Sequence, residues 1–94
     1  MKTAEIYLAA GDPVEIFKVM RTDFDSELEM IGKARPMAEY ANMIVALVRK
    51  YNRTWNEIAK KAQGARVDGF KLCMKKALSG TDMPEVMRRA AAYL

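Results

Sequence analysis

A chain of 94 residues with a 51% hydrophobic fraction is long enough for one domain around one modest core, and too apolar to remain disordered. It has no histidine and a single cysteine, which excludes a Ser/His/Asp or Cys/His catalytic set, a zinc site and an internal disulfide. A formal charge of +4 and a pI near 9.3 favour an anionic partner.

Helix formers dominate, and no stretch alternates apolar with polar residues, so the fold class predicted is all-α, a single small domain (residues 1–94) of five or six helices without a sheet. At this size only about 60 to 65% of the unfolded chain's surface can be buried, and a homodimer is expected as a way of enlarging the core. The longest apolar run, Met43 to Val48, is far short of the roughly 20 residues of a bilayer span. Met1 to Ala10 carry Glu5 inside their apolar part, unlike a secretory signal. No membrane association is expected, and the lone Cys73 predicts a reducing, cytoplasmic compartment.

Taken in order, Thr3 caps a short helix through Ile6, Tyr7, Leu8 and Ala10, and Gly11 ends it in a left-handed turn. Asp12-Pro13-Val14-Glu15 then gives an N-cap carboxylate, a proline at the first helical position and a glutamate that can reach back to the cap. Phe17, Met20, Phe24, Leu28 and Ile31 continue one stripe from there. Thr22, Asp23, Asp25 and Ser26 compete for backbone hydrogen bonds, which leaves one long helix or a break near Asp25 as alternatives. Gly32, Lys33 and Arg35-Pro36 mark its end.

The strongest amphipathic stripe follows. Met37, Tyr40, Ala41, Ile44, Leu47, Val48 and Tyr51 recur at steps of three and four, widened by Met43 and Val45, and predict a central helix over 36–51 with neighbours on several sides. Asn52-Arg53 interrupts it, and Thr54-x-x-Glu57 reads as a capping box opening a short helix that Gln63-Gly64 stops. From Ala65 or Arg66 a basic helix places Val67, Phe70, Met74, Ala77 and Leu78 on one side, and Ser79-Gly80 ends it. Asp82-x-x-Glu85, with Pro84 in the first turn, starts a last helix through Val86, Met87, Ala90, Tyr93 and Leu94.

Charge is divided along the chain: residues 1–48 carry a net −3 and residues 49–94 a net +7. In the basic half Arg49, Lys50, Arg53, Lys60, Lys61, Arg66, Lys71, Lys75 and Lys76 oppose only Glu57 and Asp68. Such a patch attracts polyanions through its field and through counterion release; its plain reading is a solvated face that keeps the protein in solution.

Placement adds to charge. Thr54-Trp-Asn-Glu-Ile-Ala-Lys-Lys-Ala-Gln-Gly resembles the opening of helix-turn-helix regulators, with Ala59 and Ala62 as small residues at the helix crossing and Gly64 at the turn. The resemblance covers residues 54–78, with Gly64 five residues after Ala59 where such regulators place it four after. It implies a non-enzymatic DNA-binding protein, a transcriptional regulator whose partner is double-stranded DNA. Arg66, Lys71 and Lys75 would then lie nearest base edges, and Arg49, Arg53, Thr54, Lys60 and Lys61 would hold phosphates. Trp55 could stack on sugar or base, though a tryptophan at a helix start is more often a packing anchor. Gly69 weakens the second helix unless close packing needs it.

The other class compatible with the residues is a protein-interaction module, such as a phage- or plasmid-encoded inhibitor or adaptor. It would use the basic face or the acidic set Asp23, Asp25, Glu27 and Glu29 as a protein interface. That set lacks the spaced ligands and mid-loop glycine of a calcium loop. No Gly-rich phosphate loop is present either, so neither a metal nor a cofactor is expected, and no catalytic residue is assigned. The methionines read as fillers of an irregular core, and Cys73 as a small buried hydrophobe.

Overall fold

Local start signals act as their chemistry predicts. Thr3 accepts a hydrogen bond from the Ile6 amide at the head of α1 (Ala4–Leu8), and Asp12 accepts one from the Glu15 amide at 3.0 Å at the head of α2 (Pro13–Gly32). Between them Gly11 adopts φ +120°, a conformation that only glycine takes without strain. The computed structural model describes residues 2–33, 39–80 and 84–94; α3 (Tyr40–Lys61), α4 (Gly69–Ser79), α5 (Pro84–Ala90) and a 3₁₀ turn (Ala91–Tyr93) complete an all-α domain, with no strand among the described residues.

α2 is one continuous helix, which settles the alternative left open near Asp25. Its competing side chains are occupied elsewhere: Thr22 Oγ1 donates back to the Lys18 carbonyl, and Asp23 accepts from Tyr7 and Lys2. α3 departs from expectation. It runs for 22 residues straight through Asn52-Arg53, so the capping box at Thr54-x-x-Glu57 opens no helix and residues 54–61 are the last turns of the central one. The reason is tertiary. Trp55 and Ile58 extend the buried stripe of Tyr40, Ile44, Leu47, Val48 and Tyr51, and burial along an unbroken face outweighs a local cap. The start of this helix at Pro36, the Arg35-Pro36 stop, Met37 and the cap at Asp82 lie outside the described residues.

α3 is the axis of the domain, packing against α1, α2, α4, α5 and the closing turn. Its link to α2 and α4 is aromatic. Phe70 of α4 stacks on Tyr51 (5.9 Å) and on Trp55 (5.7 Å), while Phe24 and Phe17 of α2 meet it edge-on at 6.1 and 5.6 Å. Each such pair contributes about 0.5–1.5 kcal/mol beyond its buried area, so Phe70 adds to the hold that buried Met74 and Leu78 give α4 on the core. At the C-terminal end Val86 and Ala90 are buried and Met87, Tyr93 and Leu94 pack against them, as their spacing predicts. Met20 and Met74 fill the core, whereas Met30 and Met43 are exposed.

Candidate nucleic-acid interface

The outward side of α3 is built by its inward one. With the buried stripe fixed, Arg49, Arg53 and Lys60 stand at i, i+4 and i+11, within about 40° of one another down the axis and opposite the core. All are exposed, and Arg49 lies over the Tyr93 ring at 5.1 Å, which orients its guanidinium without neutralising it. Thr54 and Lys61, expected beside them as phosphate ligands, fall on the flank toward α1 and α2. Thr54 is half-buried, and Lys61 pairs with Glu5 across 3.5 Å.

Beyond Lys61 the chain turns through residues 62–68, longer than the three or four residues that usually join such helix pairs. Ala62 is extended, and Gly64 takes φ +92° with its Cα side facing Pro13. The turn is fastened at Arg66, whose carbonyl accepts from Trp55 Nε1 at 2.7 Å and from the Gly69 amide at 3.0 Å. Trp55 is therefore a packing anchor, 3% exposed, and not a stacking platform for bases. Val67, expected on the apolar side of a helix starting at 65 or 66, lies in the turn and is 58% exposed because α4 begins only at Gly69. Asp68 occupies the N-cap position without a side-chain cap bond.

α4 buries Phe70, Met74 and Leu78. Lys71 and Lys75, one turn apart, share an edge of the helix about 150° away from the edge that faces α2. Along that second edge Gly69, Leu72, Cys73, Lys76 and Ala77 form a groove with Phe17, Arg21 and Asp25. Burial pushes the Cys73 thiol up from its ordinary range, with Asp25 adding to the effect and Arg21 opposing it, so it stays protonated at neutral pH.

The fold uses some of its cations internally. Lys2 pairs with Asp23, Lys18 with Glu15, Arg21 with Asp25, Lys50 with Glu27, Lys61 with Glu5 and Arg88 with Glu85. Among the described residues Arg49, Arg53, Lys60, Arg66, Lys71, Lys75 and Lys76 have no such pair and share one segment of the chain; Lys33 and Arg89 also lack one, and Arg89 donates to Asn42 Oδ1. By sequence position Lys50 and Lys61 belong with them. Their partners are acids distant in the chain, which no local pattern reveals.

The acidic set divides in the same way. Asp23 and Glu27 face inward, where Asp23 accepts from Tyr7 Oη (2.7 Å) and Lys2 Nζ (3.0 Å) and Glu27 accepts from Lys50 Nζ (3.3 Å). Asp25 and Glu29 lie on the other side of α2 and are exposed. Burial pulls the Asp23 carboxyl upward, but the Tyr7 hydroxyl and Lys2 together outweigh it and hold it below the ordinary range. Burial, reinforced by the bond to Asp23, pushes Tyr7 up to about 12, and burial beside Glu27 and Tyr7 raises Tyr51 further. This seam ties α1 to α2 and α3; it is structural, and four acids in one stripe do not exist on α2. Comparison with known proteins adds no relative: no family model, no curated protein and no solved structure matches the chain.

Proposed function

We propose that this is a non-catalytic protein that binds duplex DNA through the outer face of α3 and through α4. The observation that carries the reading is where the cations without an ion pair lie: among the described residues seven of the nine fall within residues 49–76, the other two being Lys33 and Arg89, while Lys2, Lys18 and Arg21 in and around the first two helices are paired. Cations that stabilise nothing internally are free to displace counterions from a phosphate backbone. Arg49, Arg53 and Lys60 are the phosphate ligands in this reading, and Lys71 and Lys75, with Arg66 before them, face the groove. α4, at 11 residues and about 16 Å long, suits a major groove about 12 Å wide. Duplex is favoured over single strands because Tyr51, Trp55 and Phe70 are buried, and the half-buried Tyr93 beneath Arg49 is one ring, not the series of platforms on which successive bases stack.

The test is binding of the purified protein to a labelled random duplex and to a pool of short duplexes, at salt concentrations of about 50 and 200 mM. Wild type is compared with Lys75→Glu, Arg53→Glu and the paired control Lys18→Glu. Affinity should fall by about 10³-fold or more between the two salts, both interface variants should bind at least about tenfold more weakly, and the control should be unaffected. Absence of duplex binding at the lower salt refutes the reading.

A second reading has an observation of its own. Exposed Met30 and Met43 form an apolar groove with Ile31, Ala46 and Leu47 between α2 and α3, beside the Glu27–Lys50 pair. Adaptable methionines on an exposed apolar surface suit a protein partner, or a second copy of this chain in a twofold dimer. Met43→Lys tested by sedimentation separates these from a monomer: a wild-type dimer dissociated by the substitution assigns the groove to self-association.

A further inference from the structure

α4 turns Lys71, Leu72, Lys75, Lys76 and Ser79 away from the core. At about 100° per residue Leu72 sits inside that arc, with Lys71 and Lys75 to one side of it and Lys76 to the other. It is 70% exposed, more than any other large hydrophobic among the described residues. It also stands off the helical stripe of Phe70, Met74 and Leu78, so the core does not require it. Leu72 stands at the outer lip of the groove against α2, flanked along the outward arc by lysines that have no ion pair, and an apolar side chain so placed is one that a polyanion docking on α4 would cover.

The inventory of this face narrows what it can recognise. No asparagine, glutamine or arginine lies on α4, so the bidentate amide contact to adenine and the guanidinium fork to guanine are both impossible from this helix. Lysine approaches guanine or phosphate as a point charge with little geometric discrimination. Of the base-edge features left, the one an apolar side chain can read is the C5-methyl group of thymine. We propose that Leu72 is the specificity-determining residue of α4, packing against a thymine methyl in the major groove of the bound duplex. The proposal rests on the duplex-binding reading above. A lipid surface is the less favoured occupant, because the outward arc of α4 offers one leucine among lysines and not the broad apolar face of an interfacial helix.

The experiment removes the methyl from the DNA and the leucine from the protein. Duplexes selected from a random pool by the wild-type protein are synthesised twice, with thymine or with deoxyuridine throughout, and each is bound by wild type and by Leu72→Ala. Leu72 is exposed, so the variant should unfold at the same temperature as wild type. Wild type should prefer the thymine duplexes by about three- to fivefold, the gain from covering one methyl group. Leu72→Ala should bind both forms alike while keeping the wild-type salt dependence. Equal binding of both forms by wild type, or a preference that survives in Leu72→Ala, overturns the assignment and leaves duplex binding standing. Failure to bind any duplex overturns the underlying reading and this one with it. Vesicles of phosphatidylserine and phosphatidylcholine form the last arm: loss of vesicle binding in Leu72→Ala, without a thymine preference in wild type, gives the residue to a lipid surface and also overturns the proposal.

Discussion

Replacing Trp55 by phenylalanine tests how the turn that carries Arg66 is held. The ring would still sit between Phe17 and Phe70, but the Nε1–H donor to the Arg66 carbonyl, at 2.7 Å, would be gone. That carbonyl keeps the Gly69 amide as a donor at 3.0 Å, so it is not orphaned, and the lost bond should cost about 1 kcal/mol and not the larger penalty of an unsatisfied buried group. Because Trp55 is 3% exposed, the smaller ring also forfeits roughly 40 Å² of apolar burial, about 1 kcal/mol, and leaves a small void. The expected total is about 2–3 kcal/mol, seen in urea unfolding as a lower midpoint with an unchanged slope. A local signature should accompany it: amide exchange from Ala65 to Gly69 should accelerate more than exchange in α2, because the turn loses its side-chain anchor. Phe70→Leu is the comparison, since it damages the same ring cluster and leaves the Trp55 donor in place. A loss under about 0.5 kcal/mol, or exchange in the turn that merely follows the global change as it does in Phe70→Leu, would refute the anchor role.

Other substitutions separate local from tertiary effects. Tyr7→Phe removes a charge-assisted bond to Asp23 and should cost about 1.5–3 kcal/mol near neutral pH, measured by urea unfolding. The folded-state pKa of Asp23 lies below its unfolded value, so its contribution is present above that unfolded value and is lost as pH falls through the folded one; Tyr7→Phe should flatten this acid limb. Tyr7 itself, pushed up to about 12, contributes fully below its ordinary value of 10.0 and loses that contribution as pH rises from there to about 12; the variant should lack this part of the alkaline limb and retain the part due to Tyr51. Gly64→Ala should destabilise by about 1–2 kcal/mol, because φ +92° strains any side chain although the space beside Pro13 would admit a methyl. Gly69→Ala should have the opposite sign, up to about +1 kcal/mol in the melting free energy, since its Cβ would meet the Trp55 ring at an ordinary 3.7 Å in right-handed backbone. Lys61→Gln should change stability by less than about 0.5 kcal/mol, the Glu5 pair being exposed on both sides.

What could be read from the sequence follows from the range of the forces involved. Thr3 and Asp12 cap the helices they precede because the donor and acceptor lie three residues apart, within the reach of any local pattern. Thr54-x-x-Glu57 has the same local form and opens nothing, because whether a cap acts depends on whether the residues before it are already committed. Here Tyr51 and Trp55 are both buried against Phe70, so the chain between them stays helical. The cationic segment shows the same division. Its charges can be counted in the sequence, but the pairs that remove Lys50 and Lys61 from it reach to Glu27 and Glu5, contacts that exist only once α1 and α2 are packed on α3. Leu72 gives no periodic signal at all. It becomes informative because the fold buries the residues two places before and after it and leaves it among lysines. A run of like charge along a chain therefore defines a surface only after the fold has taken the cations it needs for itself, and the remainder on α3 and α4 is the part available to a partner.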